Sequence, residues 1–167
     1  MEHKQLLTVF NSLPVGIGFF TADGTLVRCN ESFCRIFGAD SQTLLGNKLN
    51  INENSVVPDV VKEAVRRCVP VQMSFLYDFD KQRTDKRFFS TRTRTCYLKC
   101  NGNPLYDNDG KFVNYIFIFE DITETVKSEE VLRQSRRKNG ACYEGSQHHV
   151  LGILMQWPNY FIVIMNR

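Results

Sequence analysis

The chain has 167 residues, and its hydrophobic content of 43%, with 13 phenylalanines, is ample for one core. Its formal net charge of +3 is small. The local basic stretch of Lys86, Arg87, Arg92 and Arg94 carries no recognisable nucleic-acid-binding motif, and we interpret it as the solvated edge of a hairpin. Length and charge therefore predict one domain with an appendage and do not support a nucleic-acid partner.

Cysteine usage and hydropathy indicate a reducing compartment. The cysteines form no C-x-x-C pair, and none is spaced with a histidine in a zinc pattern, so we expect small apolar core residues. They are Cys29, Cys34, Cys68, Cys96, Cys100 and Cys142. Residues 1–5 lead into an amphipathic helix rather than a signal peptide, and the apolar tail 150–165 is interrupted by Gln156, Pro158 and Asn159. We expect a cytoplasmic chain without a membrane span.

The first predicted element is a short amphipathic helix. Leu6, Phe10 and Leu13 recur at helical spacing, and Pro14 ends the pattern. A hairpin follows, with strands at 15–21 and 25–29 joined by a turn at 22–24.

A second short helix follows the hairpin. Asn30 is a favourable N-cap, and Phe33, Ile36 and Phe37 share one face of the helix. Gly38 is a natural stop because glycine accepts the left-handed conformation that commonly ends helices.

The middle of the chain predicts one longer helix and two strands. Apolar residues at helical spacing indicate an amphipathic helix over 56–69, lying across the sheet. A strand over 71–79, a polar turn over 80–86 and a long antiparallel strand over 88–101 come next.

The most informative stretch is 109–124, because it compresses a hairpin turn, a strand and a helix start. Asp109-Gly110 predicts a two-residue turn, and the strand 115–119 is apolar on both faces, so both sides should be covered. Asp121 stands where an N-cap is expected, with Glu124 three residues later as the partner of a capping box.

Six short motifs occur together in a familiar order. They are L-P-V-G-I at 13–17, A-D-G at 22–24, N-E-S-F at 30–33, L-L-G at 44–46, N-P-L-Y-D-N-D-G at 103–110 and D-I-T-E at 121–124. In this order the chain resembles the PAS sensory domains, specifically those upstream of bacterial histidine kinases. The resemblance covers roughly the first three quarters of the chain.

The resemblance implies an α+β fold with a five-stranded antiparallel sheet, short helices on one face, an N-terminal cap helix and a C-terminal signalling helix. We divide the chain into a cap helix at 1–12, a PAS domain at 13–121, a signalling helix at 122–138 and a poorly specified tail at 139–167. The family pattern stops at the tail, which we interpret as a truncation, a frameshift or an artificial end of the reading frame.

PAS domains bind ligands between the sheet and the short helices, and the two coloured cofactors of the family are disfavoured here. Haem needs an axial ligand, and the only histidines, His3, His148 and His149, lie outside the core. The flavin branch needs a reactive cysteine in an N-C-R-F-L-Q-like motif. Cys34 resembles that cysteine superficially but lies one helix too early and lacks the flanking Asn and Gln.

Predicted inward positions give low-specificity candidates for a ligand cleft. They are Phe33, Val65, Leu98, Cys100, Phe117 and Phe119. A core filled by side chains, without ligand, is the favoured interpretation, and a small apolar or aromatic ligand is the alternative.

No catalytic motif is present, and the pair His148-His149 lacks the surroundings of a kinase phosphoacceptor. We therefore expect no enzymatic activity from this chain, which is too short to contain an ATP-binding domain as well.

The helix after residue 121 is the expected route of output. Ile122, Val126, Glu129 and Leu132 follow loosely the spacing of a coiled-coil seam, although a single solvated helix fits too. The resemblance favours a parallel homodimer that passes a signal to an effector such as a histidine kinase, with Asp121 and Thr123 as the transmitting residues. A ligand-free protein-interaction module is the alternative function.

Overall fold

A computed structural model describes residues 2–82, 90–140 and 160–162. The fold is α+β, with one antiparallel sheet in the order β2-β1-β5-β4-β3-β6. The strands are β1 (Gly16–Phe20), β2 (Leu26–Cys29), β3 (Val71–Asp78), β4 (Thr95–Tyr106), β5 (Phe112–Asp121) and β6 (Tyr160–Ile162). The helices are α1 (Glu2–Ser12), α2 (Glu31–Phe37), α3 (Ser41–Gly46), α4 (Asp59–Arg67), α5 (Phe79–Gln82) and α6 (Thr123–Gly140). The five predicted strands are confirmed, and β6 extends the sheet beyond β3.

Alternation along the strands separates the two faces of the sheet. In β5, Tyr115, Phe117 and Phe119 are buried, whereas Ile116 and Ile118 between them are half-buried. The prediction that both faces of β5 are covered is therefore only partly right. The core lies on the face that carries α2, α3 and α4, because β3 and β4 also point their buried residues to that side.

Helix α1 lies against the opposite face of β1. The Phe10 ring centroid is 6.0 Å from that of Phe19, and the Arg28 guanidinium lies 5.7 Å from the Phe10 centroid. The predicted stripe is rotated, because Leu6 is 67% exposed and only Phe10 and Leu13 are half-buried.

Asn30 fixes the entry into α2, as its N-cap prediction requires. Its Oδ1 accepts hydrogen bonds from the backbone N–H groups of Phe33 (2.9 Å) and Ile17 (2.8 Å). Its Nδ2 donates to the carbonyl oxygens of Phe10 (3.0 Å) and Val15 (2.9 Å). One buried amide therefore joins α1, β1 and α2.

The middle of the chain departs from the predicted boundaries. The helix predicted over 56–69 is shorter, since Pro58 occupies the N-cap and Cys68 ends α4 with a positive φ of 51°. Residues 80–82, predicted as the start of a polar turn, belong instead to α5 (Phe79–Gln82). The rest of the predicted turn lies in 83–89, outside the described residues. Strand β4 starts at Thr95 rather than 88, because residues 90–94 run past the end of α2 instead of joining the sheet.

The β4–β5 connection is longer than the predicted two-residue turn. It spans 107–111, where the Asp107 carboxylate accepts hydrogen bonds from the N–H groups of Asp109 (3.0 Å) and Lys111 (2.8 Å). Gly110 supplies the positive φ, 76°, that the sequence predicts.

Three further predictions concern a membrane span, the C-terminal tail and the domain boundaries. Within the described part, no helix has the length and apolarity that crossing a bilayer requires. Most of the predicted tail, including Cys142 and His148-His149, lies outside the described residues. The domain boundaries themselves stay predictions.

Candidate signalling joint and core cleft

The six cleft candidates all lie in one aromatic core. Each is buried, and Phe33, Val65, Leu98, Cys100, Phe117 and Phe119 belong to the same cluster. The Phe33 and Phe119 ring centroids are 5.7 Å apart, and those of Phe117 and Phe119 are 5.6 Å apart. A Cβ placed on Gly102 would overlap the Phe117 ring, so this ring packs directly on the sheet backbone. The arrangement is that of packed side chains, whereas a role in ligand binding stays a prediction.

A polar cluster that the sequence analysis missed lies at the edge of this core. The Tyr77 hydroxyl donates to Gln82 Oε1 (2.8 Å) and accepts from Asn54 Nδ2 (3.2 Å). All three residues are buried, although Gln82 belongs to the segment 80–86 that the sequence predicts as a polar turn. Buried amides and a hydroxyl need partners, so this cluster fixes the positions of three separate segments.

Arg92 connects the end of α2 with the base of α6. Its Nη1 donates to the carbonyl oxygen of Ile36 (2.9 Å), and its Nη2 donates to Asp121 Oδ2 (2.9 Å). The guanidinium also lies 5.2 Å from the centroid of the Phe79 ring. The predicted solvated basic edge is therefore wrong for Arg92, whose side chain is only 35% exposed, while Lys86 and Arg87 lie outside the described residues.

The segment before Arg92 is bonded to the same end of α2. Ser90 Oγ donates to the Phe37 carbonyl oxygen (2.7 Å), and the Thr91 N–H donates to the Gly38 carbonyl oxygen (2.7 Å). Gly38 has a φ of 64°, as its predicted helix-stop role requires, and a Cβ there would lie 2.8 Å from Ser90 Oγ and Arg92 Cγ. The close approach of 90–92 to α2 thus depends on glycine.

Asp121 and Thr123 hold the start of α6 on strand β4. Asp121 Oδ1 accepts hydrogen bonds from the Thr123 N–H (3.1 Å) and hydroxyl (2.5 Å), and Thr123 Oγ1 accepts one from the Tyr97 N–H (2.9 Å). The bond from the Thr123 N–H to Asp121 Oδ1 is of the kind that an N-cap side chain accepts. Asp121 is not the N-cap, however, because it ends β5 and the Ile122 carbonyl accepts the first helical bond, from Val126 (3.0 Å).

The predicted capping box is also absent. Glu124 instead accepts a hydrogen bond from Lys127 Nζ at 3.0 Å. Burial works to raise the pKa of Asp121, but hydrogen bonds from Thr123 and Arg92, with the Arg92 charge, outweigh it and hold this pKa below 3.8. The carboxylate is therefore ionised at neutral pH.

The cysteines divide into two groups. Cys96 and Cys100 are buried as predicted, and burial raises the pKa of each thiol to about 12. Cys29, Cys34 and Cys68 are only half-buried, which corrects their placement in the core. In the described residues, no three side chains of His, Cys, Asp or Glu come together as a metal site.

Comparisons with known proteins agree with this geometry. A family model described as the PAS fold matches residues 10–127. A search of curated proteins found no match.

Three solved structures illustrate the structural likeness. An RNA-binding light-oxygen-voltage receptor aligns with a TM-score of 0.60 and 18% identity, over 81% of this chain and 37% of that receptor. A PAS domain from Colwellia psychrerythraea aligns with a TM-score of 0.56 and 15% identity, over 74% of this chain and 99% of that domain. A PAS domain from a two-component sensor histidine kinase aligns with a TM-score of 0.53 and 14% identity, over 72% of this chain and 96% of that domain. Identities this low establish the fold alone.

Proposed function

Because the chain belongs to the PAS family, we propose that it is a sensory and dimerisation module of a two-component signalling protein. In this proposal, a change in the core moves α2, and the joint formed by Arg92, Asp121 and Thr123 passes the movement through α6 to an effector such as a histidine kinase. The chain itself performs no catalysis.

The observation that carries the proposal is the two-sided bonding of Arg92. Its guanidinium bonds a carbonyl at the end of α2 on one side and Asp121, next to α6, on the other. Phe37, adjacent to that carbonyl, contacts Phe119 of the core at a centroid distance of 5.2 Å. A change in core packing that displaces α2 would therefore strain the Arg92 hydrogen bonds and shift Asp121 at the start of α6.

The test is a chimera in which residues 1–135 replace the sensor of a histidine kinase core. We expect Asp121→Ala and Arg92→Ala to change the ratio of kinase to phosphatase activity while the fusion stays folded. Arg66→Ala is the matched control, because Arg66 also forms an ion pair with a carboxylate, Glu63, at 3.0 Å but lies on the exposed side of α4.

Two results would contradict the proposal that the joint transmits a signal. If the Asp121 and Arg92 variants stay folded and keep wild-type output, the joint is only a connection. The same conclusion follows if the Arg66 control changes output equally. The interaction-module function would then replace the sensory one.

That second function has its own supporting observation. Leu6 and Val9 of α1 are 67% and 57% exposed, and they lie close together on one helix. Apolar side chains presented in this way favour contact with another protein surface. A purified chain that shows no thermal shift with any metabolite and that captures a partner through α1 would support it.

We propose further that the module works in the cytoplasm, without haem or flavin. The aromatic rings that pack on Gly102 occupy the space next to the sheet. An absorbance spectrum of the purified chain tests this, since either cofactor would give bands in the visible region. A small apolar ligand stays the alternative signal, and mass spectrometry of a denatured extract would detect it.

A further inference from the structure

Two thiols lie side by side between β2 and α2. The Sγ atoms of Cys29 and Cys34 are 3.8 Å apart, and both side chains are half-buried. We propose that these two residues are a redox modification site that closes reversibly into a disulfide. The proposal concerns thiol chemistry and stands whether or not α6 transmits a signal.

The backbone around the pair is held in place before any bond forms. Asn30 follows Cys29, and its side chain makes the four hydrogen bonds that join α1, β1 and α2. The Cys34 N–H donates to the Asn30 carbonyl oxygen at 3.2 Å. A disulfide needs an S–S distance of about 2.05 Å, so the sulfurs must approach by a little under ~2 Å, which rotation of two short side chains can supply.

Cys34 is the thiol that an external reagent reaches. It lines an open pocket of about 600 Å³, together with Arg35, Asp40, Thr43 and Arg92. Cys29 Sγ lies 3.8 Å from Cys34 Sγ and is therefore placed to resolve the first product.

The reaction with a low-molecular-weight disulfide balances without another reagent. Cys34 loses its proton to water, and its sulfur attacks one sulfur of the reagent, which breaks the reagent's S–S bond and releases one thiolate. Cys29 then loses its proton and attacks Cys34 Sγ, which forms the protein disulfide and releases the second thiolate. The protein loses two electrons, and the reagent gains them as two thiols after protonation.

The environment makes this exchange slow rather than fast. Burial raises the pKa of Cys29 to about 12 and also raises the pKa of Cys34. Only the thiolate attacks, so both steps proceed through a small fraction of the molecules at neutral pH.

The test uses the full chain and glutathione buffers of increasing oxidised fraction. After equilibration and acid quenching, the chain is unfolded, alkylated and digested with trypsin. Cleavage after Arg28 and Arg35 gives one peptide with Cys29 and Cys34 and no other cysteine. Cys96 and Cys100 fall in separate peptides, because Lys99 lies between them. They serve as internal controls.

We expect the Cys29–Arg35 peptide to lose two hydrogens, take up no label as the buffer becomes oxidising, and regain two labels after dithiothreitol. The disulfide should be at least ~10-fold more favoured in the folded chain than in urea at the same buffer ratio, because the fold holds the sulfurs together. Cys34→Ser should leave Cys29 to form at most a mixed disulfide.

Three outcomes would overturn the proposal. The first is full labelling of both thiols in the most oxidising buffer. The second is separate glutathione adducts on Cys29 and Cys34 in place of the internal disulfide. The third is an equal disulfide fraction in the folded and urea-unfolded chains, which would mean that closeness in sequence alone brings the thiols together.

Discussion

Asp121 serves two structures at once because its two oxygens have different partners. Oδ1 accepts both hydrogen bonds from Thr123, and Oδ2 accepts the bond from Arg92. The first set shapes the turn from β5 into α6, and the second connects that turn to α2. One side chain therefore couples local backbone geometry to a contact between distant segments.

Replacing Asp121 should cost little stability and should do so in a pH-dependent way. We expect Asp121→Ala to lower the free energy of unfolding at pH 7 by about 0.5–2 kcal/mol, because its partly exposed carboxylate loses the hydrogen bonds from Thr123 and Arg92. The folded pKa lies below 3.8, so the carboxylate contributes fully above that value and its contribution is lost as the pH falls through the folded pKa. Urea unfolding at pH 7 and at a pH well below 3.8 measures the size of the penalty and its pH dependence.

The control for this prediction is Lys111→Ala, on the exposed β4–β5 loop. Its effect should stay within about 0.5 kcal/mol at pH 7. An Asp121→Ala penalty that is equally large in acid would show that the ionised carboxylate is not the source of the stabilisation.

Between elements, the closest approach in the joint is that of 90–92 to the end of α2. Two glycines with positive φ angles allow this contact to be isolated, because Gly38 has a φ of 64° and Gly110 a φ of 76°. A Cβ on Gly38 meets Ser90 and Arg92 at 2.8 Å, whereas a Cβ on Gly110 meets nothing within 4 Å.

The losses of unfolding free energy caused by Gly38→Ala and Gly110→Ala should therefore differ only by the effect of the steric contact at Gly38. Both introduce the left-handed strain of about 1–2 kcal/mol, and only Gly38→Ala should add about 1–3 kcal/mol for overpacking. Chemical denaturation of both variants gives the difference. Equal losses would mean that 90–92 can move away from α2 freely, which would also weaken the case for Arg92 as a link.

The register of β4 and β5 gives a second prediction at this scale. Phe117→Ala should cost about 3–5 kcal/mol, because the ring is fully buried against its aromatic neighbours. Lys99→Ala should cost no more than about 0.5 kcal/mol, since its ion pair with Glu120, at 4.0 Å, is solvent-exposed. Thermal unfolding that gives the same midpoint for both would place the strand one residue out of register.

For the molecule as a whole, the features that the sequence predicts well are local ones. The Asn30 cap, the Gly38 stop and the burial of Phe117 follow from nearest-neighbour chemistry or from period-two alternation, so a short window contains the information. The start of β4 could not be placed in this way, because residues 90–92 are held by α2 and the Arg94 backbone by α5, rather than by a pattern of their own.

The joint was harder to predict for the same reason. Arg92 and Asp121 are 29 positions apart, and nothing in either segment specifies the other. The cluster of Asn54, Tyr77 and Gln82 likewise unites three segments only after folding. Polar residues outside strands suit both solvent and buried pairing, and only the packed structure decides between them.

The exposed apolar residues on α1 and α6 bear on how the whole molecule assembles. Leu6 and Val9 of α1, with Val131 and Leu132 of α6, are each more than half exposed, at 67%, 57%, 66% and 59%. Leu6 and Val9 lie one turn apart on α1, and Val131 and Leu132 are neighbours on α6. Exposed apolar side chains on both helices favour a dimer. The sheet face away from the core offers less apolar surface for a dimer contact than its sequence indicates, since Ile116 and Ile118 are already half-buried.

We therefore expect a dimer in solution at high micromolar concentration, measured by light scattering coupled to size exclusion. Leu132→Asp should shift the chain toward monomer, because it places a charge in the predicted seam. Gln134→Asp is the matched control, since it adds the same charge two residues along α6 on a different side of the helix. A wild-type monomer at high micromolar concentration would contradict the dimer. Equal dissociation by both variants would instead show that net charge, rather than an apolar seam on α6, governs the association, and the signalling helix would then act without a partner helix.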